Sequence, residues 1–464
     1  MDYDVIILGG GLVGCAVAYE LSKYNLNIAL IEKDYDIADD ISFINTAIVQ
    51  DGLQGTNDLI AKLQIIGNNM LGDLCDKFGV PFNRTGSLII AEDDDQETKL
   101  KEIYNRAIKR GVSGVEFIDE NNVKELEPNL KCDIKKAIYS KNTAVICPYD
   151  LALAYAEIAF DNGVNFRLEE EVLDIQKSTL GLKVATNKNK FTCKVVVNTT
   201  PYETDDIESV VMEKPIDKIT YCMMEKDDSR NFNHIVYNAK NKNSSGFHAV
   251  PFGNDGVILA VRNEESLELN DVTEYISNFI DNVDISEFSN IFKEDIHKEL
   301  IMIDDSDFDK RGYIKVTGNN FSEVTVAPAI ANMICETITN NLNCTEKKDF
   351  IDKRREFYRF KDLSNEERNE IIKIDPRYAN IVCLCSLVTE AEIIDSIRRP
   401  LGARTVEGVK RRTGVTLGNC QGAYCLSRII SILARETNKK LTDIVKDSKN
   451  SKVIRNRVKE FDEM

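Results

Sequence analysis

The feature that most constrains the fold is a Gly-x-Gly-x-x-Gly sequence that follows a short apolar run near the N-terminus. Residues 5–8 are Val-Ile-Ile-Leu, typical of a strand buried on both faces, and a helical stretch follows the glycines. Gly9 suits a tight turn, Gly11 a close approach to a pyrophosphate, and Gly14 close packing of the helix on the strand. A second apolar strand ends at Glu32, whose carboxylate can accept ribose hydroxyls and disfavour a 2′-phosphate. The unit predicts dinucleotide binding, with a turn used only for packing as the alternative, and by itself it leaves FAD and NAD open.

Four cysteines in the last hundred residues form two close pairs. Cys383 and Cys385 have one residue between them, and Cys420 and Cys425 have four. Cys-x-Cys is tighter than the usual zinc knuckle, whereas two thiolate pairs suit a 2Fe-2S cluster, which needs two sulfurs per iron. We therefore predict a 2Fe-2S site, with structural zinc and buried free thiols as alternatives. The other cysteines are scattered and are interpreted as small buried hydrophobes or free thiols.

Composition limits the partners and the compartment. The chain has 464 residues and a formal net charge of −18, which disfavours nonspecific binding to nucleic acid or to an anionic membrane. The N-terminal residues lack the cationic start of a signal peptide, and no apolar run is long enough to cross a bilayer. We expect a cytoplasmic protein with at most peripheral membrane contact.

Several further motifs resemble the FAD-dependent glycerol-3-phosphate dehydrogenases of the D-amino-acid-oxidase-like superfamily. The resemblance implies that the cofactor at the glycine motif is FAD, and that Ser42 and Asn45 lie along its pyrophosphate or near the flavin. The region around the cysteine pairs is similar to the bacterioferritin-associated-ferredoxin-like 2Fe-2S domain found at the end of such dehydrogenases. The residues that carry the resemblance are Ser42, Asn45, Ile48-Val49, Phe78-Gly79-Val80-Pro81, Gly86-Ser87-Leu88, Leu126-Glu127-Pro128 and Cys147-Pro148-Tyr149.

The chain departs from these relatives at the expected flavin side of the active site. The family places a histidine where this chain has Gln50, an amide that cannot act as a base at neutral pH. Asp51 follows it, but in a strand its side chain would point to the opposite face. In the run 321–329, expected to lie against the flavin and to contribute Thr325 to cofactor binding, Glu323 replaces a glycine. Its bulk and charge would oppose a reduced, anionic flavin.

The remaining candidate catalytic residues are one histidine and two arginines. His248 enters a probable strand of the substrate domain and is the best proton acceptor left, against the alternative of an ordinary strand histidine. Arg262 and Arg311 are candidates for binding a substrate phosphate, against the alternative of surface ion pairs. Of the other two histidines, His234 falls near a probable exposed loop.

Basic residues crowd between the two cysteine pairs. Two interpretations stay open: cations that raise the reduction potential of an anionic cluster, or a solvated basic face that docks an acidic partner. Thr389 followed by Glu392 also predicts a helix start in this region. The cations are Arg398, Arg399, Arg404, Lys410, Arg411 and Arg412.

The predicted fold class is α/β, with three parts. A discontinuous Rossmann-like FAD-binding domain covers 1–85, 145–205 and 315–345, and an interleaved antiparallel α+β substrate domain covers 86–144 and 206–314. A linker, 346–375, leads to a small helical 2Fe-2S domain, 376–464.

Four functions are compatible with these patterns. The first is an FAD-dependent dehydrogenase that oxidises sn-glycerol 3-phosphate, or a similar 2-hydroxy acid or polyol phosphate. Its electrons would pass through the cluster to an electron-accepting partner protein, a quinone-linked subunit or another acceptor. The second is a catalytically diverged electron-transfer or assembly subunit of a flavoprotein complex. A peroxide-forming oxidase is disfavoured because the cluster would be superfluous, and a nicotinamide enzyme because only one nucleotide fold is visible.

Overall fold

A computed structural model describes residues 1–38, 47–55, 57–179, 181–200, 217–225, 230–240, 245–251, 256–281, 283–296, 302–308, 312–317, 322–418 and 420–456. The strands are β1 (Tyr3–Leu8), β2 (Ile28–Ile31), β3 (Ile48–Val49), β4 (Phe82–Asn83), β5 (Ser87–Ala91), β6 (Val115–Ile118), β7 (Lys136–Ser140), β8 (Ala144–Ile146), β9 (Asn165–Arg167), β10 (Val172–Ser178), β11 (Gly181–Thr186), β12 (Lys190–Asn198), β13 (Asp217–Glu225), β14 (Ile235–Asn238), β15 (Gly246–Pro251), β16 (Gly256–Asn263), β17 (Phe288–Ile296), β18 (Met302–Asp304), β19 (Tyr313–Thr317), β20 (Ile381–Cys383) and β21 (Val388–Thr389). The helices are α1 (Leu12–Ser22), α2 (Asp58–Phe78), α3 (Asp94–Lys109), α4 (Glu120–Leu126), α5 (Pro148–Asp161), α6 (Leu269–Ile276), α7 (Glu323–Leu342), α8 (Asn365–Ile374), α9 (Glu390–Arg398), α10 (Val406–Thr413) and α11 (Leu426–Thr437).

The first sheet is built around the N-terminal strand. Strand β1 pairs in parallel with β2 on one side and β12 on the other, and β9 and β19 extend the parallel region outwards. Leu8 is aligned with both Ile31 and Asn198, so three carboxyl ends meet at one edge. Helices α1, α5 and α7 pack together in the main apolar core, because nearly every side chain of α1 is buried. Ligands of open α/β sheets bind at this edge.

A second sheet forms the other large layer. Its order is β17-β13-β16-β15-β14-β5-β7-β6, antiparallel except where β14 runs parallel to β5. One face packs against α4 and α6, and the other carries Ile89, Tyr237 and Val250 against Ile48 and Leu53. Ile48 belongs to the small sheet β3-β8-β4. The second sheet therefore presents one face towards the segment that contains Gln50.

The C-terminal region packs around its own apolar core. Helices α9, α10 and α11 and the short hairpin β20-β21 surround Ile393, Val409 and Leu433, which are buried. Thr389 caps α9 and forms a capping box with Glu392, so the helix start expected from the sequence is confirmed.

One segment belongs to a different sheet from the one that the sequence predicts. Met302–Asp304 lies in the range expected for the substrate domain, yet it pairs with β19 and so joins the first sheet. Ile303 packs against the core of that sheet, which accounts for the pairing. No helix in the described part of the chain is long and apolar enough to span a membrane.

Candidate functional site

The glycine turn has the geometry that its spacing predicts. Gly9 has a φ of +97°, a conformation that favours glycine, and Gly11 is the N-cap residue of α1. A Cβ placed on Gly14 would lie 2.0 Å from the carbonyl oxygen of Gly9, so a side chain there would collide with the turn. A Cβ on Gly11 would meet no atom of the described residues within 4 Å. The turn thus leaves an open space beside the free N–H groups of a helix N-terminus, which fits a pyrophosphate.

Glu32 lies directly beside this turn. Its carboxylate accepts hydrogen bonds from the backbone N–H groups of Gly10 at 2.7 Å and Asp34 at 2.9 Å. The N–H of Ala38 donates to the carbonyl oxygen of Gly10 at 2.8 Å, so the loop after β2 folds back onto the turn. The open space at the start of α1 fits a phosphate, and the carboxylate of Glu32 beside it is an acceptor that fits the hydroxyls of a ribose. Ser42 and Asn45 lie outside the described residues.

Gln50 and Thr325 contact one another. The N–H of Gln50 donates to Oγ1 of Thr325 at 2.9 Å, and the amide of Asn68 donates to the carbonyl oxygen of Gln50 at 3.1 Å. Thr325 is completely buried in the first turns of α7. Its hydroxyl therefore fixes the segment after β3 that carries Gln50. Glu323 opens the same helix, and burial raises the pKa of its carboxyl.

Asp51, like Gln50, lies just after β3 and not within a strand, so the alternation expected from the sequence does not apply to these two residues, and the Asp51 side chain contacts the second sheet. Its buried carboxylate accepts hydrogen bonds from the hydroxyl of Ser140 and from the N–H of Leu53, the latter at 3.0 Å. Burial raises the pKa of Asp51, although these donors oppose the shift. Asp51 thus links the segment after β3 to the second sheet. Its carboxylate is held by these donors and does not take the place of the histidine that the resemblance implies at position 50.

Gln50 and His248 are brought together through Tyr237. The Tyr237 hydroxyl lies beside the side-chain amides of Gln50 and Gln54, which act to lower its pKa, but burial dominates and raises it. The ring of Tyr237 meets the imidazole of His248 edge to face, with 4.9 Å between centroids. These side chains share one face of the second sheet because Tyr237 and His248 are directly paired across β14 and β15.

A cationic group lies next to His248. Nε of Arg262 is 2.5 Å from one carboxylate oxygen of Asp217, and Nζ of Lys240 is 2.7 Å from the other. Burial acts to raise the pKa of Asp217, but the two cations outweigh it and lower the pKa. Burial also lowers the pKa of His248 to about 3, and the charges of Arg262 and Lys240 act in the same direction. The group has two positive charges and one negative charge around a neutral imidazole.

Of the other residues singled out from the sequence, His234 is not part of this group. Arg311 lies outside the described residues. His234 hydrogen-bonds through Nδ1 to the buried carboxylate of Glu127 at 2.7 Å, which also accepts the N–H of Asn233. Sequence reasoning missed Tyr237, and it also missed Lys240 and Asp217. The alternation of residues along β14 and β15 can be seen in the sequence and gives the face on which each side chain lies. The register that pairs the two strands cannot be seen in the sequence.

The cysteine pairs lie on two neighbouring loops. Cys383 ends β20, Cys385 lies in the turn that leads to β21, and Cys425 is the N-cap residue of α11. A Cβ on Gly418 would lie 2.2 Å from the Cβ of Cys385, which brings the second loop against the first. Cys383 and Cys425 are buried, whereas Cys385 is exposed and Cys420 is half-buried.

The thiols interact across the two loops. The N–H of Tyr424 and the thiol of Cys385 lower the pKa of Cys420. Burial and the neighbouring Cys383 raise the pKa of Cys425 to about 11. The thiols thus lie as two neighbouring pairs, Cys385 with Cys420 and Cys383 with Cys425. Two thiol pairs fit a binuclear cluster, which takes two sulfurs per iron.

The basic residues between the cysteine pairs bind acidic partners within the chain. Arg399 pairs with Glu157 and Arg412 with Asp36, and all four side chains are buried. A solvated basic face is therefore the wrong interpretation for Arg399 and Arg412. The remaining pairs are Arg398 with Glu436, Lys410 with Glu407 and Arg411 with Asp447, while Arg404 donates to the carbonyl oxygens of Ile397 and Ala403.

Comparisons with known proteins agree with both motifs. A family model of FAD dependent oxidoreductases matches residues 4–337, and a model of the BFD-like [2Fe-2S] binding domain matches residues 381–435. These matches confirm the predictions of FAD, of a 2Fe-2S cluster and of the α/β fold class.

Individual relatives extend this result. Glycerol 3-phosphate dehydrogenase of Caloramator mitchellensis is 34% identical, over 97% of this chain and 98% of that protein. L-2-hydroxyglutarate dehydrogenase of Caenorhabditis elegans is 37% identical over 31% of this chain and 34% of its own. The solved structure of dithionite-reduced L-alpha-glycerophosphate oxidase of Mycoplasma pneumoniae with FAD bound superposes with a TM-score of 0.66, at 21% identity, over 77% of this chain and 99% of that chain. The last likeness shows the fold alone.

Proposed function

The chain belongs to the FAD dependent oxidoreductase family and carries a BFD-like [2Fe-2S] binding domain, and on this basis we propose that it oxidises sn-glycerol 3-phosphate or a similar anionic 2-hydroxy acid or polyol phosphate. The observation that carries the proposal is the group of Arg262, Lys240 and His248 on the face of the second sheet that also holds Tyr237 beside Gln50. The name of the full-length relative, a glycerol 3-phosphate dehydrogenase, supports the same substrate class.

The cationic group suits an anionic substrate. Arg262 and Lys240 share one carboxylate, that of Asp217, so these three groups together carry a net charge of +1 at a partly buried position. A phosphate or carboxylate beside Arg262 would neutralise that charge through charge-assisted hydrogen bonds. An uncharged polyol would gain nothing from it. The charge therefore selects the anionic end of the substrate.

His248 supplies the proton acceptor. Its pKa of about 3 keeps the imidazole neutral, with a free lone pair. A bound anion beside Arg262 would raise this pKa, because added negative charge favours the imidazolium. Substrate binding would thus make His248 a better acceptor for the hydroxyl proton. Gln50 and Tyr237 can orient the same hydroxyl by hydrogen bonding. FAD held at the glycine motif and Glu32 would supply hydride acceptance, and a 2Fe-2S cluster held by Cys383, Cys385, Cys420 and Cys425 would supply one-electron transfer.

We propose that electrons leave at the exposed side of the cysteine site. Cys385 is exposed, and around it Leu384 is 70% exposed and Tyr424 77% exposed. The sequence 383–388 and the sequence 414–427 contain no charged residue in a chain that is 29% charged. An uncharged rim around an exposed sulfur suits close approach of an electron-accepting protein or a quinone-linked subunit.

A diverged electron-transfer or assembly subunit remains the second candidate. Gln50 cannot take a proton, and Glu323 places a carboxyl at the start of α7, where the resemblance noted from the sequence implies a glycine. Under this alternative the flavin would bind but would ignore every anionic 2-hydroxy compound.

Replacing Arg262 with Met tests the proposed substrate class. Loss of a charge-assisted hydrogen bond costs about 1.5–3 kcal/mol, so KM for glycerol 3-phosphate should rise about 10- to 100-fold. The matched control is Arg230→Met, which removes an arginine paired with Glu287 elsewhere in the same sheet layer and should leave KM unchanged. An unchanged KM in Arg262→Met, or failure of both glycerol 3-phosphate and L-2-hydroxyglutarate to reduce the flavin, would contradict the proposal.

A further inference from the structure

A buried ion pair joins the C-terminal domain to the loop that follows β2. Both terminal nitrogens of Arg412 donate to the carboxylate of Asp36, at 2.6 and 2.7 Å. The side chains are only 3% and 1% exposed. Arg412 also donates to the carbonyl oxygens of Leu401 at 2.6 Å and Gly408 at 2.9 Å, which fixes the guanidinium within its own domain. The pair is separated by 376 positions in sequence.

The loop held by this pair, residues 32–38, is the one that carries Glu32. Glu32 accepts the N–H of Gly10, and Ala38 donates to the carbonyl oxygen of the same glycine. Burial raises the pKa of the Cys15 thiol in α1, and the carboxylates of Glu32 and Asp36 act in the same direction. The 32–38 loop thus connects the glycine turn directly to the C-terminal domain.

Asp36 requires a cation at this position. A buried carboxylate without a partner is strongly disfavoured, and a second carboxylate in the same short loop adds repulsion. Without Arg412, we expect the loop to open until Asp36 reaches water, and Glu32 would move with it. A bidentate arginine contact also fixes the orientation of the carboxylate, which a lysine does only in part.

We propose that the 2Fe-2S domain forms part of the FAD-binding site: Arg412 acts as a positioning residue that holds the 32–38 loop, and with it Glu32, in the arrangement that binds the ribose. The domain thus does more than carry electrons, because tight FAD binding depends on its docking. This inference does not depend on which substrate is oxidised.

A second junction between the domains supplies the control. Arg399 of the C-terminal domain donates to Glu157 of α5 from Nε and from one terminal nitrogen, each at 3.1 Å, and Arg354 donates to the same carboxylate at 2.7 Å. Glu157 keeps Arg354 if Arg399 is lost. This junction ties down the same domain but does not contact the 32–38 loop.

The test compares FAD binding in the full-length holoprotein and its variants. FAD dissociation constants are measured from flavin fluorescence after serial dilution, and the visible absorbance and EPR signal of the cluster report that the C-terminal domain is folded. Arg412→Met should raise the FAD dissociation constant about tenfold, the effect of a coupling in the usual range, with the cluster signals retained. Arg412→Lys should restore part of the affinity, and Arg399→Met should bind FAD as the wild type does.

Asp36→Asn removes the charge of the other partner in the same ion pair. With this second variant, the test does not depend on a single substitution that could misfold. Asp36→Asn should weaken FAD binding in the same direction, because the amide no longer holds the guanidinium by charge. Wild-type FAD affinity in both Arg412→Met and Asp36→Asn would overturn the proposal. It would also be overturned if Arg399→Met weakened FAD binding as much as Arg412→Met, since general loosening of the domain would then explain the loss.

Discussion

At the scale of the residue, His248 is the side chain whose surroundings most restrict its charge. Its ring lies 4.9 Å from that of Tyr237, and burial together with Arg262 and Lys240 lowers its pKa to about 3. An exposed histidine has a pKa of about 6.5. His248 is therefore neutral over the whole range in which the enzyme would work, and only a bound anion can make it basic.

The depressed pKa of His248 predicts a loss of stability in acid. Between about pH 6.5 and about pH 3 the unfolded state binds a proton that the folded state does not, so folding stability falls by about 1.4 kcal/mol per pH unit as the pH drops. His248→Gln removes this pH-dependent contribution to folding stability. Melting temperatures measured at about pH 6.5 and about pH 4.5 should therefore fall less in the variant than in the wild type. Equal falls would mean that His248 titrates normally in the folded protein.

The sequence identified part of this group and missed the rest for a physical reason. His248 was recognised from its strand context, whereas Gln50 and Arg262 were singled out by comparison with the family that the sequence resembles. Lys240 and Asp217 were not identified, because Lys240 lies just after β14 and Asp217 begins β13, and the two side chains meet only once the second sheet has formed. Strand alternation gives the face on which a side chain lies, but pairing partners depend on the whole sheet.

At the scale of the element, the turn between β1 and α1 separates two roles of glycine. Gly14 is needed for packing, since its Cβ would meet the Gly9 carbonyl oxygen at 2.0 Å. Gly11 faces a space that the described residues do not fill. Spacing alone predicted both roles, because strand, turn and helix are adjacent in sequence.

Alanine at each glycine should separate these roles. Gly14→Ala should destabilise the protein by about 1–3 kcal/mol, the usual cost of overpacking, with a lower melting temperature. Gly11→Ala should melt as the wild type does when FAD is absent from both, but bind FAD less tightly because the methyl group enters the space for the pyrophosphate. Wild-type FAD affinity in Gly11→Ala would show that the cofactor does not occupy this space.

The basic residues in and near α10 show that charge clustering in a sequence does not predict which charges become buried. Charge clustering between the cysteine pairs suggested cations that raise the reduction potential of the cluster, or an exposed face that docks an acidic partner. In the structure, Arg412 and Arg399 are instead buried against Asp36 and Glu157. The partners lie in the N-terminal half of the chain. A run of like charges in sequence therefore did not reveal which of its members would be neutralised by folding.

At the scale of the whole molecule, the two cofactor regions lie at different positions relative to solvent. The glycine turn sits at the carboxyl edge of the first sheet, with the 32–38 loop covered by the C-terminal domain. The exposed Cys385 and its uncharged rim face outwards. This arrangement suits inward binding of the flavin and outward delivery of electrons.

Anaerobic addition of sn-glycerol 3-phosphate to the purified holoprotein tests the central claim most directly. Flavin absorbance and the EPR signal of the reduced cluster are followed in the same sample, with glycerol as the uncharged control and Cys420→Ser as the variant without a complete ligand set. We predict that the flavin band bleaches and the cluster signal appears in the wild type, that glycerol produces neither, and that Cys420→Ser shows bleaching alone. A flavin that stays oxidised, or a cluster that stays oxidised after the flavin is reduced, would contradict the account.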